Sequence, residues 1–360
     1  MTRPARAIVH LAALRHNLRR VRQSAPRCRV LAVVKANGYG HGAVRVARAL
    51  SDAEGFAVAG IDEALELREA GVDARILLLS GVHAGEALER ACRYRLDVVV
   101  HHESQLEMLE RARLEHPLEV WLKIDSGMHR LGVPPEQARS FWERLHACPQ
   151  VDAHVRTMTH LANADDRRDP TTRRQLETFR DATRDLDGER SIANSGGVLG
   201  WPDTQADWVR PGIMLYGISP FVGGTAANEG LEPGMTLTTR LIAVNRVPRG
   251  GAVGYGGTWV CPEDMPVGVA AIGYGDGYLR HLPSGTPVLV NGRRVPLVGR
   301  VSMDLITVDL RTQPQARPGD EVVLWGRGLP VEEIAEHAGT IPYELVCRVA
   351  QRVLIDTEEI

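Results

Sequence analysis

The sequence predicts an α/β chain: a (β/α)8 TIM-type barrel followed by a C-terminal mainly β domain. Three observations carry this. Eight short apolar runs rich in Val, Ile and Leu recur through the first part of the chain. Amphipathic helical patterns lie between them. The pattern then changes to short strands punctuated by Gly and Pro.

The eight runs are VLAVVKA from Val30, FAVAG from Phe56, ILLLSG from Ile76, LDVVV from Leu96, EVWLKI from Glu119, HVRTMTHL from His154, RSIANSGG from Arg190 and ADWVRPGIMLYG from Ala206. They are apolar without alternation, as strands buried on both faces are. After the second run Ile61, Ala64 and Leu65 share a helical face. After the fifth, Ala138, Phe141, Trp142 and Leu145 follow helical spacing behind Pro134-Pro135, which suits a helix start. Eight strands alternating with helices point to a closed parallel barrel. An open doubly wound sheet is the runner-up, but no G-x-G-x-x-G follows the first strand.

Ser219 to Gly234 is rich in Gly and small residues and reads as a linker. Beyond it MTLTTRLIAV, AVGYGGTWV, VGVAAIGYG, TPVLVNGRRVPLVG, MDLITVDL and DEVVLWG read as strands. Asn291-Gly292 signals a type I′ hairpin. A helix around Val331 to His337 and a strand-like VCRVAQRVLI close the chain. The expected domains are 1–230, with the first residues able to pack on the β domain, and 231–360.

Composition excludes several classes. The net charge is −2, so no strong field invites nucleic acid or acidic lipid. The Arg-rich runs read as solvated helix faces. Cys28, Cys92, Cys148, Cys261 and Cys347 are scattered, with no C-x-x-C, which argues against a disulfide framework or a metal site. The N-terminal stretch is basic without an apolar core, and nothing approaches a membrane span. The expectation is a cytoplasmic enzyme.

A barrel of this kind carries its chemistry at the C-terminal ends of its strands. Lys35 ends the first. There it is either a desolvated, nucleophilic amine or a lysine that snorkels to the surface. Ser195-Gly196-Gly197 ends the seventh run, and Arg210, Gly212 and Ile213 lie in the eighth. Loops after strands seven and eight commonly cradle phosphate, although a Gly-rich loop also occurs without a ligand. An amine and a phosphate cradle at one mouth suggest pyridoxal phosphate.

VVKANGYGHG, KIDSGMHRLG, THLANAD, NSGG, VRPGIMLYG, VGYGGTW, IGYGDGY and GRVSMD, in this order, resemble the bacterial alanine racemases, from Val33 to Cys347. The resemblance implies an isomerase that interconverts L- and D-alanine with pyridoxal phosphate, for peptidoglycan or for alanine breakdown. It implies a homodimer with shared sites. Lys35 then carries the cofactor and is the base for D-alanine, and Tyr255, from the partner subunit, is the base for L-alanine. Arg210 faces the pyridine nitrogen, and His160 lies by the ring, tied to Arg210. Tyr39, Ser195, Gly212, Ile213 and Tyr343 contact the phosphate. Arg130 and the Met303 N–H bind the substrate carboxylate, and Tyr274 narrows the entrance. Lys123 matches a lysine carbamylated in some relatives, the alternative being an unmodified lysine in an ion pair. Arg210 read alone also fits a barrel-end salt bridge. Gly257 departs from the basic residue many relatives carry there.

Other racemases or decarboxylases of the same fold, a non-catalytic pyridoxal-phosphate carrier and a phosphate-binding barrel without pyridoxal are the competing readings. Arg210 argues against a decarboxylase, which needs an acidic partner for the ring nitrogen. The β domain with Tyr255 argues against a carrier.

Overall fold

The computed structural model describes residues 4–359. The chain divides into two compact units. One comprises the residues up to Leu14, Tyr216–Ser219 and Thr225 onward; the other comprises Arg15–Leu215 and Pro220–Gly224.

The second of these is a closed parallel barrel. Its strands are Arg29–Val33, Gly55–Val58, Arg75–Leu78, Asp97–Val100, Val120–Lys123, Arg156–Met158, Arg190–Ser191 and Trp208–Val209, paired in chain order, with the last closing on the first. Each of the eight apolar runs supplies one strand. Every residue of Gly55–Val58, Asp97–Val100 and Val120–Lys123 is buried, which is why these runs do not alternate. The helix Ile61–Glu69 buries Ala64 and Leu65, and Ala138–Ala147 buries Ala138, Phe141 and Leu145. Its start differs slightly: a 3-10 turn, Pro135–Gln137, precedes the α-helix.

The other unit is an eight-stranded sheet built on Met235–Val247. That strand pairs with Arg6–His10, Glu321–Trp325 and Met265–Ala270, and two register shifts let it serve all three. Arg6–His10 also pairs in parallel with Leu354–Glu358. Pro287–Val290 and Arg293–Pro296 form a hairpin through Asn291 and Gly292, at φ 50° and 75°, as a type I′ turn requires. Two expectations are corrected here. VCRVAQRVLI is not one strand: Val346 and Cys347 end the helix Pro342–Cys347, and the strand begins only at Leu354. Pro342 takes the first helical position, where its fixed φ and missing N–H do no harm. AVGYGGTWV is a small hairpin, Ala252–Val253 with Trp259–Val260, because Gly254, Gly256 and Gly257 all take positive φ between them. Among the described residues no helix is long and apolar enough to cross a membrane.

Charge closes the barrel at the end where its strands begin. Glu189 accepts from Arg29, from Arg156 at 2.8 Å and from the Trp208 indole at 2.9 Å. Arg156 also reaches Glu119, and Arg75 reaches Asp97 and, at 3.5 Å, Glu119. Trp121 donates to Asp97 at 2.8 Å and meets Trp208 edge-on at 5.8 Å. Burial pushes the Glu189 carboxyl up, but its bonds from Trp208, Arg29 and Arg156 outweigh that and hold it at about 2. A depressed carboxyl contributes its full stability above the ordinary glutamate range and loses it as pH falls toward about 2. Glu189→Gln is therefore expected to cost about 2 kcal/mol at neutral pH. That is less than the cost of breaking a fully buried pair, because Glu189 is partly exposed. Thermal melts of the two proteins between pH 7 and pH 3 should converge as the pH falls.

Candidate active site

Lys35 opens the short element Lys35–Tyr39, two residues past Val33, the apolar end of the first strand. Ala36, Asn37 and Gly38 have left-handed backbone angles near φ 55°, ψ 48°, and Tyr39 follows at φ 50°. Left-handed conformation costs roughly 1–2 kcal/mol for each non-glycine residue, so this turn persists because its surroundings hold it. The Asn37 side chain accepts the Ala43 N–H at 2.9 Å, and His41 Nδ1 lies 2.8 Å from the Tyr39 carbonyl. Glu63 accepts the N–H of Ala36 and of Ala59, both at 2.7 Å. The turn leaves Tyr39 buried with its hydroxyl against Gly212, where an added Cβ would lie 2.6 Å from the Tyr39 oxygen.

Gly212 itself donates to Ser195 Oγ at 2.9 Å, and Met214 N–H does so at 3.3 Å. With both of these bonds accepted, the Ser195 hydroxyl proton is left to point elsewhere. Asn194 caps the turn by accepting the Gly197 N–H at 3.0 Å. At Gly196 a Cβ would lie 2.7 Å from the Ala164 carbonyl, so the loop needs glycine there. Tyr39, Ser195 and Gly212 thus converge on one small cradle beside Ile213, which is buried.

Beside the cradle lies a cluster of positive charge. Arg210 is 3% exposed, and its guanidinium donates to Ser191 Oγ at 2.6 Å and to the Thr159 and Ile192 carbonyls. Burial lowers its pKa to about 10, so it is still charged at neutral pH. Lys123, 6% exposed, is lowered to about 8 by burial and then by Arg210, Arg130 and Lys35, with Asp125 opposing. Burial and the same cations hold His160 well below its ordinary range, so its imidazole is neutral. Arg210 bears on His160 through its charge, while three of its N–H bonds go to Ser191, Thr159 and Ile192. Lys35 and Lys123 are the only two lysines in the chain, and both belong to this cluster.

Arg130 stands on a loop that Asp125 shapes by accepting the N–H groups of Gly127, Met128 and His129 at 2.9–3.0 Å. Gln175, buried in the helix Thr171–Ala182, joins this loop to the next. Its amide donates to the His160 carbonyl at 3.0 Å and to Ser126 at 3.4 Å, and it accepts the Ala162 N–H at 2.8 Å.

The remaining expected residues lie in the sheet unit. Tyr255 sits in the glycine turn Tyr255–Gly257 and is 70% exposed; Met303 is 53% exposed, and Tyr274 is also exposed. Gly257, at φ 53°, has no room for a side chain without a 3.0 Å approach to the Ala252 Cβ. The turns bearing Tyr274 and Met303 are laced together: Tyr274 N–H donates to the Ser302 carbonyl and Gly275 N–H to the Met303 carbonyl, at 3.0 and 2.8 Å. Arg352 binds them from below, through Asp276 and Asp304 at 2.8 Å each. Tyr343 lies in the helix Pro342–Cys347. Among the described residues no group of three or more His, Cys, Asp or Glu could hold a metal.

Residues 9–220 match the family model described as "Alanine racemase, N-terminal domain", and 234–355 match "Alanine racemase, C-terminal domain". The chain belongs to the alanine racemase family. It is 57% identical to an alanine racemase of Nitrosococcus oceani over 96% of this chain and 97% of that protein. To one of Halorhodospira halophila it is 55% identical, over 98% and 97%. The structure of the biosynthetic alanine racemase from Pseudomonas aeruginosa superposes with a TM-score of 0.96 at 48% identity, covering 99% of this chain and 100% of that one. That of Acinetobacter baumannii gives 0.92 at 37% identity, with the same coverage. Alanine racemases are isomerases whose family cofactor is pyridoxal phosphate, and this chain is an amino-acid racemase of that class.

The barrel mouth fits such a group: an amine at the rim, a hydroxyl and glycine cradle for a phosphate, and a buried cation for a ring nitrogen. Sequence reasoning did not find Glu63, Asp125, Gln175, Ser191, Asp276 or Arg352, which hold the expected residues in place. A glutamate at the third position of a helix start, and an Asp followed by Ser-Gly, were the available signals for the first two.

Proposed function

We propose that this chain racemises alanine between its L and D forms, with pyridoxal phosphate held on Lys35. The observation that carries the reading is the juxtaposition of the chain's two lysines, Arg130, Arg210 and the Tyr39–Ser195–Gly212 cradle at one barrel mouth. Such a mouth is built for anions, a phosphate on the cradle and a carboxylate near Arg130. When bound, the cofactor supplies an aldehyde carbon that joins an amine and a ring that withdraws electrons, making the amino-acid Cα–H acidic.

The chain's own groups do the rest. Tyr39, the Ser195 hydroxyl, Gly212 and Ile213 hold the phosphate, with Tyr343 as a further contact. Arg210, which keeps its proton at neutral pH, would present an N–H to the ring nitrogen and so would leave that nitrogen unprotonated and limit electron withdrawal. This favours return of the proton to Cα over its delivery to the cofactor. Neutral His160 lies beside them without adding charge. Arg130 and the Met303 N–H orient the substrate carboxylate, and Tyr274 narrows the approach, which favours a small side chain. Lys35 moves a proton at Cα on one face and Tyr255 of the partner subunit on the other, as inversion requires. The exposure of Tyr255 and Met303 supports a homodimer in which these groups are supplied across the interface.

We also propose that Lys123 is carbamylated. Held at about 8, roughly a tenth of its amines are neutral at pH 7. The amine nitrogen adds to the carbon of CO2 and one proton leaves to solvent. The product is an anion among Arg210, Arg130 and Lys35. With 13C-bicarbonate, the protein should show one carbamate carbon by NMR that Lys123→Met lacks. No such resonance at neutral pH contradicts this.

The shared site has its own test. Lys35→Ala and Tyr255→Phe chains should each be inactive, and mixing them should restore activity, since one site of the mixed dimer is intact. No recovery after confirmed subunit exchange overturns the arrangement.

A further inference from the structure

We propose that Glu63 is a positioning residue for Lys35: its carboxylate replaces the missing rung of the barrel ladder where the first two strands part, and so fixes the direction in which the Lys35 amine is presented. The inference rests on the reading of Lys35 as the cofactor-bearing base.

The first two barrel strands run in register up to Val33 and Ala57, and the Val34 N–H still donates to the Ala57 carbonyl at 2.9 Å. Continued, the ladder would give the Ala36 N–H to the Ala59 carbonyl. It does not continue: Ala36 has turned left-handed, and the Ala59 carbonyl accepts instead from the Ser80 N–H, at 3.3 Å. Two N–H groups, of Ala36 and Ala59, lose their ladder partners at the rim. Glu63 takes both, one on each oxygen: Oε1 from Ala36 and Oε2 from Ala59, each at 2.7 Å. The same Oε2 is 3.5 Å from the Gly60 N–H.

Capping the helix Ile61–Glu69 explains only part of this. A glutamate at the third helical position ordinarily reaches back to the N-cap N–H. Here it also crosses to a residue 27 positions away. The N–H it holds there belongs to the peptide bond that Lys35 itself forms with Ala36, so the grip falls on the Lys35 backbone at the start of the left-handed turn. The two N–H groups go to different oxygens of the carboxylate, so both oxygens must accept. Glutamine offers one and would set its own NH2 against an N–H; aspartate keeps the charge but is a methylene shorter. A base misplaced by about 1 Å can lose on the order of a hundredfold in rate, so the clamp bears on proton transfer by Lys35 and not on that by Tyr255.

The test uses the holoenzyme with Glu63→Gln, and Asp62→Asn on the exposed neighbour as a control. For Glu63→Gln, kcat should fall at least about tenfold in both directions with KM within about twofold. The primary isotope effect on kcat should rise for α-deuterated D-alanine and shrink for α-deuterated L-alanine. L-alanine should exchange its Cα–H with D2O faster than it racemises, because the Lys35 step now lags. In the protein without cofactor, the amides of Ala36 and Ala59 should lose protection from hydrogen exchange. If the Gln variant does not fold, Glu63→Asp should show the same asymmetry at smaller size. Unchanged kinetics in Glu63→Gln, or a fall in kcat with both isotope effects unaltered, overturns the clamp alone. Turnover that persists in Lys35→Ala overturns the Lys35 reading beneath it.

Discussion

Positive charge packed into the barrel mouth is the constraint on which the site depends. Arg210, Arg130 and Lys35 all act on Lys123 and on His160; Arg210 and Lys123 are buried, Lys35 is half-buried and Arg130 exposed, and Asp125 offsets the charge in part. In such surroundings charge is expensive, and each group responds according to its chemistry. Arginine keeps its proton, so Arg210 stays cationic. Lysine and histidine yield theirs more readily, so Lys123 falls to about 8 and His160 stays neutral. The mouth is thereby ready for anions and supplies, in Lys123, an amine that is reactive near neutral pH. The absence of any other lysine from the chain confines that reactivity to this one place.

Holding such a cluster requires a rigid frame, and the two ends of the barrel provide it differently. At the end where strands begin, Arg29, Arg75 and Arg156 are answered by Glu119, Asp97 and Glu189, with Trp121 and Trp208 packed among them. Those arginines are matched by acids and serve the fold. At the mouth the cations are left in excess, and precision comes from uncharged or singly charged braces: Gln175 between two loops, Asp125 inside one, Glu63 between the first two strands. The left-handed turn after Lys35 is where this bracing is most needed, because its backbone would not adopt that shape unaided.

Much of the fold was legible because burial leaves a simple trace. A strand hidden on both faces is mostly apolar, and Gly55–Val58, Asp97–Val100 and Val120–Lys123 were legible by that rule; Arg156–Met158 and Arg190–Ser191, which hold Arg, Thr and Ser, were legible only as parts of longer apolar runs. Asn291-Gly292 was legible because its turn demands positive φ at both residues. The closing VCRVAQRVLI misled because a helix followed by a strand leaves the same apolar density as one longer strand; Pro342, placed just ahead, was the overlooked signal. Lys35 and Arg210 stood out by their positions at strand ends. Tyr255 and Met303 did not: each looks like an ordinary residue near a glycine, and only the family resemblance drew attention to them. Gln175, and the bond that Glu63 makes beyond its own helix start, were illegible for a different reason. Their work is to satisfy backbone groups far away in sequence, and no local pattern records where such a bond will end.

The measurement that bears most directly on the account is chemical mapping of the cofactor link. Borohydride reduction of the holoenzyme, followed by digestion and mass spectrometry, should leave a reduced pyridoxyl group on the peptide containing Lys35 and none on the peptide containing Lys123. With only two lysine side chains in the chain, the result is unambiguous. An adduct on Lys123, or on neither lysine, would contradict the central claim.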